Sequence, residues 1–420
     1  METAARNPYQ IFASSKLPTS WESAFQANLE NCPKEMRQQL EAAWKVASTQ
    51  ELPDRKNENW RWMDYRRLDL EALDLNTSPL NLTVNLVEAS APIPEGVIIS
   101  SFHDLLKSDE SLALRLATGA DTSEEAVFAA LPTALASDGL VIYVPEDVCV
   151  DGVVQCIINL DLENKAALTR NLIWLEPGAS LDLELLWADD NPKRSGFHNG
   201  KLDVHLGRDS RLHFDERQQL GLKTWNITNE TAHLDTAAQL EWNHVAVGCD
   251  TSKSFIRVNL DGTESKATLN GAMFPTDKQV VNLDTRQNHW AESTFSDLMF
   301  KSVASHEGRS VWHGMIYVDP KAQKTDAYQT NKNLVLDDSV DMKSVPGLEI
   351  HADDVKCSHG ATVGRIDPEE LFYLAARGIH EKEAQKLIIE GFYNQILQSF
   401  RLEKTRNELK EQLLKRMDNG

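Results

Sequence analysis

Between residues 95 and 360 the apolar residues recur at every second position, and turn residues interrupt the alternation at nearly constant intervals. Asn171-Leu172-Ile173-Trp174-Leu175, Leu202-Asp203-Val204-His205-Leu206 and Phe255-Ile256-Arg257-Val258-Asn259-Leu260 are short, β-rich runs, each leading into a turn and a further alternating run. The turn positions Gly178, Gly207, Asp235 and Gly262 lie 29, 28 and 27 residues apart. Ser180, Ser210, Ala238 and Ser265 follow them, and then Leu183, Leu212, Leu240 and Ala267. A unit of this size cannot cover its own apolar face, whereas stacked copies can. The repeat therefore predicts a β-solenoid, with an antiparallel sandwich of regularly spaced turns as the other architecture that fits the alternation.

The two ends follow a different period. Trp21, Phe25 and Leu29 are spaced by four, on a helix begun near Thr19 or Ser20. Pro33 suits the first turn of a second helix with Met36, Leu40, Ala43 and Trp44 as its stripe. The aromatic group Trp60, Trp62 and Tyr65 follows, and then an alternating run, Leu80, Leu82, Val84 and Leu86, after Pro79. The pair Pro92 and Pro94 marks a boundary, although Ser123 to Leu131 still has helical character. After Gly364, Asp367-Pro368-Glu369-Glu370 is a helix start, with a capping acid, proline at the first position and acids at the positive dipole end. Arg377-Gly378 is a stop. A second helix carries Ala384, Leu387, Ile388, Gly391 and Gln395. The expected division is a helical region over 1–94, a β-solenoid core over 95–364 and a helical docking domain over 365–420.

Charge separates these regions. The chain of 420 residues has 43 Lys+Arg and 64 Asp+Glu, a net charge of −21. Residues 365–420 contain ten of each sign, so the excess belongs to the rest. An acidic body disfavours nucleic acid and anionic membrane surfaces as partners. No apolar run approaches the ~18 residues of a spanning helix, and the start, Met1-Glu2-Thr3-Ala4-Ala5-Arg6-Asn7-Pro8, lacks a secretory layout. Five cysteines, an odd and small number, suit a reduced cytoplasmic protein better than a disulfide framework.

Catalytic signatures are missing from the sequence. Gly221-Leu222-Lys223-Thr224 is not a phosphate loop, His306-Glu307 has no zincin partner, and Gly308-Arg309-Ser310-Val311-Trp312 lacks the closing glycine of a nucleophile elbow. Cys149 and Cys156 read as inert core residues. The sharpest constellation is Val355-Lys356-Cys357-Ser358-His359-Gly360. On a strand, Cys357 and His359 share a face. Together they are half of a soft site for zinc or iron, or a thiolate–imidazolium pair, or a buried cysteine beside a hydrogen-bonded histidine. Two ligands do not close a four-coordinate site, so any metal needs donors from another segment or another chain.

The stretch from Leu348 through His351, Asp353, Asp354, Cys357 and His359 to Gly364 resembles the signature of the SufB/SufD family of iron–sulfur cluster assembly proteins. Ala322-Gln323-Lys324-Thr325-Asp326-Ala327-Tyr328-Gln329, Asn331-Lys332-Asn333-Leu334, Leu371-Phe372-Tyr373-Leu374 and Arg377-Gly378-Ile379 fit the same pattern, and Glu58-Asn59-Trp60-Arg61 more weakly. The resemblance implies a right-handed parallel β-helix between helical ends, and a non-catalytic scaffold subunit in a complex with SufB and the ATPase SufC. It implies that the C-terminal helices contact SufC through Phe372, Tyr373, Arg377 and Gly378; the alternative is that Phe372 and Tyr373 pack between helices. It also implies that Cys357 and His359 meet iron or a transient iron–sulfur cluster shared with SufB, with no cofactor held stably by this chain alone. The shorter, cysteine-poor chain resembles the SufD branch more than the SufB branch. The competing classes are a SufB-type paralogue, a β-helix enzyme acting on polysaccharide, and a zinc protein using Cys357 and His359. Asp353 and Asp354 are available acids, although adjacent strand residues diverge.

Overall fold

A computed structural model describes residues 16–118, 126–189, 191 and 193–417. The first strands are β1 (Asp74–Leu75), β2 (Asn81–Val87), β3 (Ile98–Ser101), β4 (Leu140–Val144), β5 (Cys149–Asn159), β6 (Lys165–Leu175) and β7 (Ser180–Ala188). They continue as β8 (Ser195–Leu206), β9 (Arg211–Gln219), β10 (Lys223–Leu234), β11 (Gln239–Ala246), β12 (Thr251–Leu260) and β13 (Lys266–Met273). The last six are β14 (Val280–His289), β15 (Phe295–Ala304), β16 (Arg309–Val318), β17 (Asp326–Val335), β18 (Asp341–Ile350) and β19 (Lys356–Gly364). From β4 and β5 onward, even strands pair with even strands and odd with odd, all parallel. The result is a two-sheet parallel β-solenoid, one strand of each sheet per coil, as the repeat predicted.

Register explains why the repeat works. In one sheet Leu175, Leu206, Leu234, Leu260, His289, Val318 and Ile350 stack. In the other, Leu181, Leu212, Leu240, Ala267, Ser296, Ala327 and Cys357 stack. Alternate residues of both sheets fill the lumen with leucines, Phe214, Trp242 and Trp312. Fully burying each such side chain is worth roughly 1.5–3 kcal/mol.

The phase differs from the glycine-based one in the first coil. The repeating corner residue has a left-handed backbone and is Asp147, Gly178, Asp209, Ala237, Glu264, Ser293 and Lys324 in successive coils. Each donates its N–H to a carbonyl of the next coil: Gly178 to Arg208, Asp209 to Thr236, Ala237 to Thr263. The inter-coil bond offsets the steric cost of that conformation for the residues with a Cβ. Gly178 is thus equivalent to Asp209 and not to Gly207, and Leu181 rather than Leu183 takes the place of Leu212.

Helices cover both outer faces. They are α1 (Thr19–Asn31), α2 (Lys34–Thr49), α3 (Phe102–Ser108), α4 (Glu110–Thr118), α5 (Ala126–Leu135), α6 (Pro368–Ala375), α7 (Glu381–Leu397) and α8 (Glu403–Lys415). Pro33 immediately precedes α2. The expected helix at Ser123–Leu131 corresponds to α5, with residues 119–125 outside those described. The expectation for the chain start lies outside them as well. Trp21, Phe25, Trp60, Tyr65 and Phe128 pack on Phe197, Trp225, Ile227 and Phe255, the outward residues of β8, β10 and β12. On the opposite sheet, Val245, Ala272, Phe274 and Val303 receive α7 and α8. The buried stripe of α7 is Ala384, Ile389, Tyr393 and Ile396, whereas Leu387, Gly391 and Gln395 of the expected stripe are exposed. Tyr393 decides this: its hydroxyl donates to Met273 O (2.6 Å) and accepts from Val303 N (2.9 Å), groups on the sheet it covers. Among the described residues no helix is long and apolar enough to cross a membrane.

Candidate functional site

The two ends of the solenoid differ. At the first, β2 runs antiparallel on β5 and β3 antiparallel on β4, while α3 and α4 pack Leu105, Ala113 and Leu116 over Val141 and Leu172. At the last, β18 and β19 each pair on one side only among the described residues. Edge strands carry a row of backbone donors and acceptors free to pair. They also present apolar side chains: Val345, Leu348, Ile350 and Val363 are all exposed, Val363 by 50%. A solenoid normally closes such an end with a polar cap.

Cys357 and His359 lie on this last coil. Cys357 pairs with Ala327 and His359 with Gln329, so the two side chains share the lumen-facing side of β19, as the spacing predicted. Cys357 is half-buried against a small terminal cluster of Ile316, Val318, Ala322, Ala327 and Ala352, while His359 is exposed. Burial, aided by the nearby Asp326 carboxylate, pushes the Cys357 thiol above its ordinary range. The thiol is therefore protonated at neutral pH, and this chain alone does not prepare a thiolate nucleophile there. A metal or cluster would have to displace that proton on binding. One rung below, Gln329 is buried and its Oε1 has no hydrogen-bond partner among the described residues. The other cysteines are dissimilar. Cys156 faces the lumen, where burial pushes its thiol up to about 12, and Cys149 is exposed rather than part of the core. Asp353 and Asp354 fall in the exposed turn between β18 and β19 rather than on a strand.

Arg365 to Asp367 lead from β19 into α6. Asp367 caps it by accepting from Glu369 N, Pro368 stands at its first position, and Gly378 ends the turn with a left-handed φ of 82°. Phe372 and Tyr373 are 75% and 55% exposed, so they do not pack between helices in this chain. The Arg377 guanidinium stacks over the Tyr373 ring at 4.4 Å. Beside them Leu334, Ile366, Leu374, Ile388 and Phe392 line an open groove of about 1190 Å³.

Two comparisons decide the family. Residues 158–392 match the description "SUF system FeS cluster assembly, SufBD core domain", and residues 84–156 match "SufBD protein N-terminal region". The chain belongs to the SufBD family. The description of that family is iron–sulfur cluster assembly in the SUF system. The chain is 25% identical to an iron–sulfur cluster assembly SufBD family protein of Staphylococcus epidermidis over 298 residues, 71% of this chain and 64% of that protein. A Staphylococcus haemolyticus SufBD family protein matches to the same extent. The chain thus spans just under two thirds of the length of these relatives. It is 38% identical to the iron–sulfur cluster assembly protein SufD of Escherichia coli over 161 residues, 38% of each chain.

The sequence reading missed the exposed apolar set on the last coil, because Leu348 and Val363 are in the core phase and look like core residues until the coil is known to be terminal. It also missed charged residues at lumen positions. Glu216 falls in phase with Leu212 and Phe214, and Glu230 with Ala232 and Leu234. That phase is the signal that would have found them.

Proposed function

We propose that this SufBD-family chain is a non-catalytic scaffold subunit of SufD type, acting in the cytoplasm. In this reading it pairs through the edge of β18 and β19 with a SufB-type chain and docks the ATPase SufC on α6 and α7. The observation that carries it is the uncapped last coil, where unpaired strand edges, exposed aliphatic side chains and the Cys357–His359 pair coincide. A second solenoid continuing the two sheets would satisfy the edge backbone and bury Leu348, Ile350 and Val363.

Such pairing would place a sulfur and an imidazole donor at the junction. These donor types suit iron and iron–sulfur clusters, which here are cargo, and two donors leave the remaining positions to the partner. The chain's own residues hold Cys357 partly dry, keep its proton on until cargo displaces it, and leave His359 accessible beside it. The groove at Phe372 and Tyr373 supports the docking assignment, because two large aromatic side chains stand in water around an Arg377–Tyr373 stack.

Co-purification of the three proteins tests both surfaces separately. Leu348→Glu with Val363→Glu should abolish retention of the SufB-type chain while the ATPase is still held. Phe372→Ala with Tyr373→Ala should do the reverse. Retention of all three proteins by both variants would refute the assignment.

A further inference from the structure

The solenoid lumen contains a second, buried group of potential ligands, remote from the open coil. Glu216 on β9 and His244 on β11 are neighbours in one sheet, paired in register. Glu230 on β10 faces them from the other sheet, since it shares the inward phase of Ala232 and Leu234. All three side chains are buried, and one ligand atom of each lies within 4.8 Å of the others. From β11 to β19 there are four strand spacings in the same sheet, or roughly 19 Å, so this group is not part of the Cys357–His359 pair.

Glu216 is held from outside. Trp187 Nε1 donates to its Oε1 (3.1 Å), Trp242 Nε1 donates to its Oε2 (3.2 Å), and His244 Nδ1 lies 3.1 Å from Oε2. Outer donors of this kind fix a ligating carboxylate in one orientation. Glu230 is not held in the same way. A carboxylate oxygen of Glu230 lies in the group, and its Oε2 is fully buried and without a hydrogen-bond partner among the described residues. Burial, and then the facing Glu216, push the Glu230 carboxyl well above its ordinary range. An apolar tube in which two carboxyl groups converge on an imidazole needs something positive between them: one shared proton, or one cation whose double charge balances both carboxylates.

We propose that Glu216, Glu230 and His244 form a buried binding site for one divalent transition-metal ion of the borderline class, such as Mn²⁺, Fe²⁺, Co²⁺ or Zn²⁺. The orphaned Glu230 Oε2 would gain its partner in the ion, and two carboxylates with one imidazole match that class. The set lacks the thiolates that select soft ions and is short of the six to eight oxygens that calcium takes. Burial makes it a site loaded during folding and retained afterwards, in contrast to an exposed cargo site. It does not depend on the pairing proposed above.

The test uses the full chain carrying Cys357→Ala and His359→Ala, expressed in medium supplemented with Mn²⁺. The protein is gel-filtered in the presence of a chelator and its Mn, Fe, Co and Zn are quantified together. About one retained equivalent is expected, falling at least tenfold in Glu230→Gln and in His244→Gln. Background-level metal in the parent means a shared proton only and overturns the site, as does unchanged metal in both variants. If neither variant folds, the parent decides by its cobalt spectrum: protein expressed with Co²⁺ should show ligand-field bands of a carboxylate- and imidazole-bound ion. A spectrum no different from buffer would overturn the proposal. Co-purification with the SufB-type chain is unaffected by any of these results, so the two proposals fail independently.

Discussion

Replacing Glu184 with alanine should release α8 from the solenoid. Glu184 points outward from β7 but is fully buried under α8. Its Oε1 accepts from Arg217 Nη1 (2.9 Å) and its Oε2 from the Thr405 hydroxyl of α8 (2.6 Å). Arg217 also reaches Glu408 through Nη2 (3.0 Å), a partner whose side chain is partly in water. Without Glu184, Arg217 keeps only Glu408 and the neutral Thr405 hydroxyl (3.3 Å), and Thr405 loses its acceptor. Removing one member of a buried ion pair costs about 3–5 kcal/mol, because the other charge stays desolvated. Since the cost falls on α8 rather than on the stacked sheets, it should appear as local opening. Amide hydrogen exchange across Leu409 to Leu413 should then quicken by about two to nearly four orders of magnitude, while β8 to β12 stay protected. Glu184→Leu with Arg217→Met, which removes both charges, should recover most of the protection. Exchange of α8 in Glu184→Ala within threefold of the parent would refute this account of how the C-terminal helices are held.

Three further outcomes follow from the same contacts. His213 sits 2.9 Å from Asp215 and 3.3 Å from Glu241; burial opposes its charge, but these carboxylates outweigh it and raise its pKa to about 9. Its contribution, about 3 kcal/mol at most, is fully present below the unfolded value near 6.5 and is lost as pH rises to about 9. His213→Gln should flatten that part of the stability–pH profile measured by urea unfolding, and an unchanged profile would contradict the pairing. Phe372→Ala and Tyr373→Ala should leave the melting temperature within about 1 °C, because both rings are largely in water; a larger drop would mean that they pack internally. Gly271→Ala places a methyl group 1.9 Å from the Phe300 ring in the lumen, and the forced shift should cost about 1–3 kcal/mol by the same unfolding assay, with no loss disproving the tight packing there.

The period of the repeat was legible because each coil contributes one inward stripe per sheet, and Leu212, Leu240 and Ala267 keep register. The phase in the first coil was not, because the left-handed corner is glycine only at Gly178 and aspartate, alanine, glutamate, serine or lysine elsewhere. The helix α8 was overlooked for a related reason: Thr405, Leu409 and Leu413 are its only buried residues, too sparse a stripe to stand out in a polar segment. Leu387 misled the reading of α7, since a leucine on the exposed side is indistinguishable from a core leucine until Tyr393 is seen to bond the sheet. The common face of Cys357 and His359 followed directly from a spacing of two. Their position on the uncapped last coil did not, because it depends on β19 having no further strand beside it among the described residues.

That uncapped coil is the centre of the functional account, and cluster assembly on the intact complex tests it most directly. Cys357→Ala and His359→Ala should each leave the complex with the SufB-type chain and the ATPase intact while cluster yield falls at least tenfold. A yield equal to that of the parent in both variants would contradict a shared cargo site at the open edge.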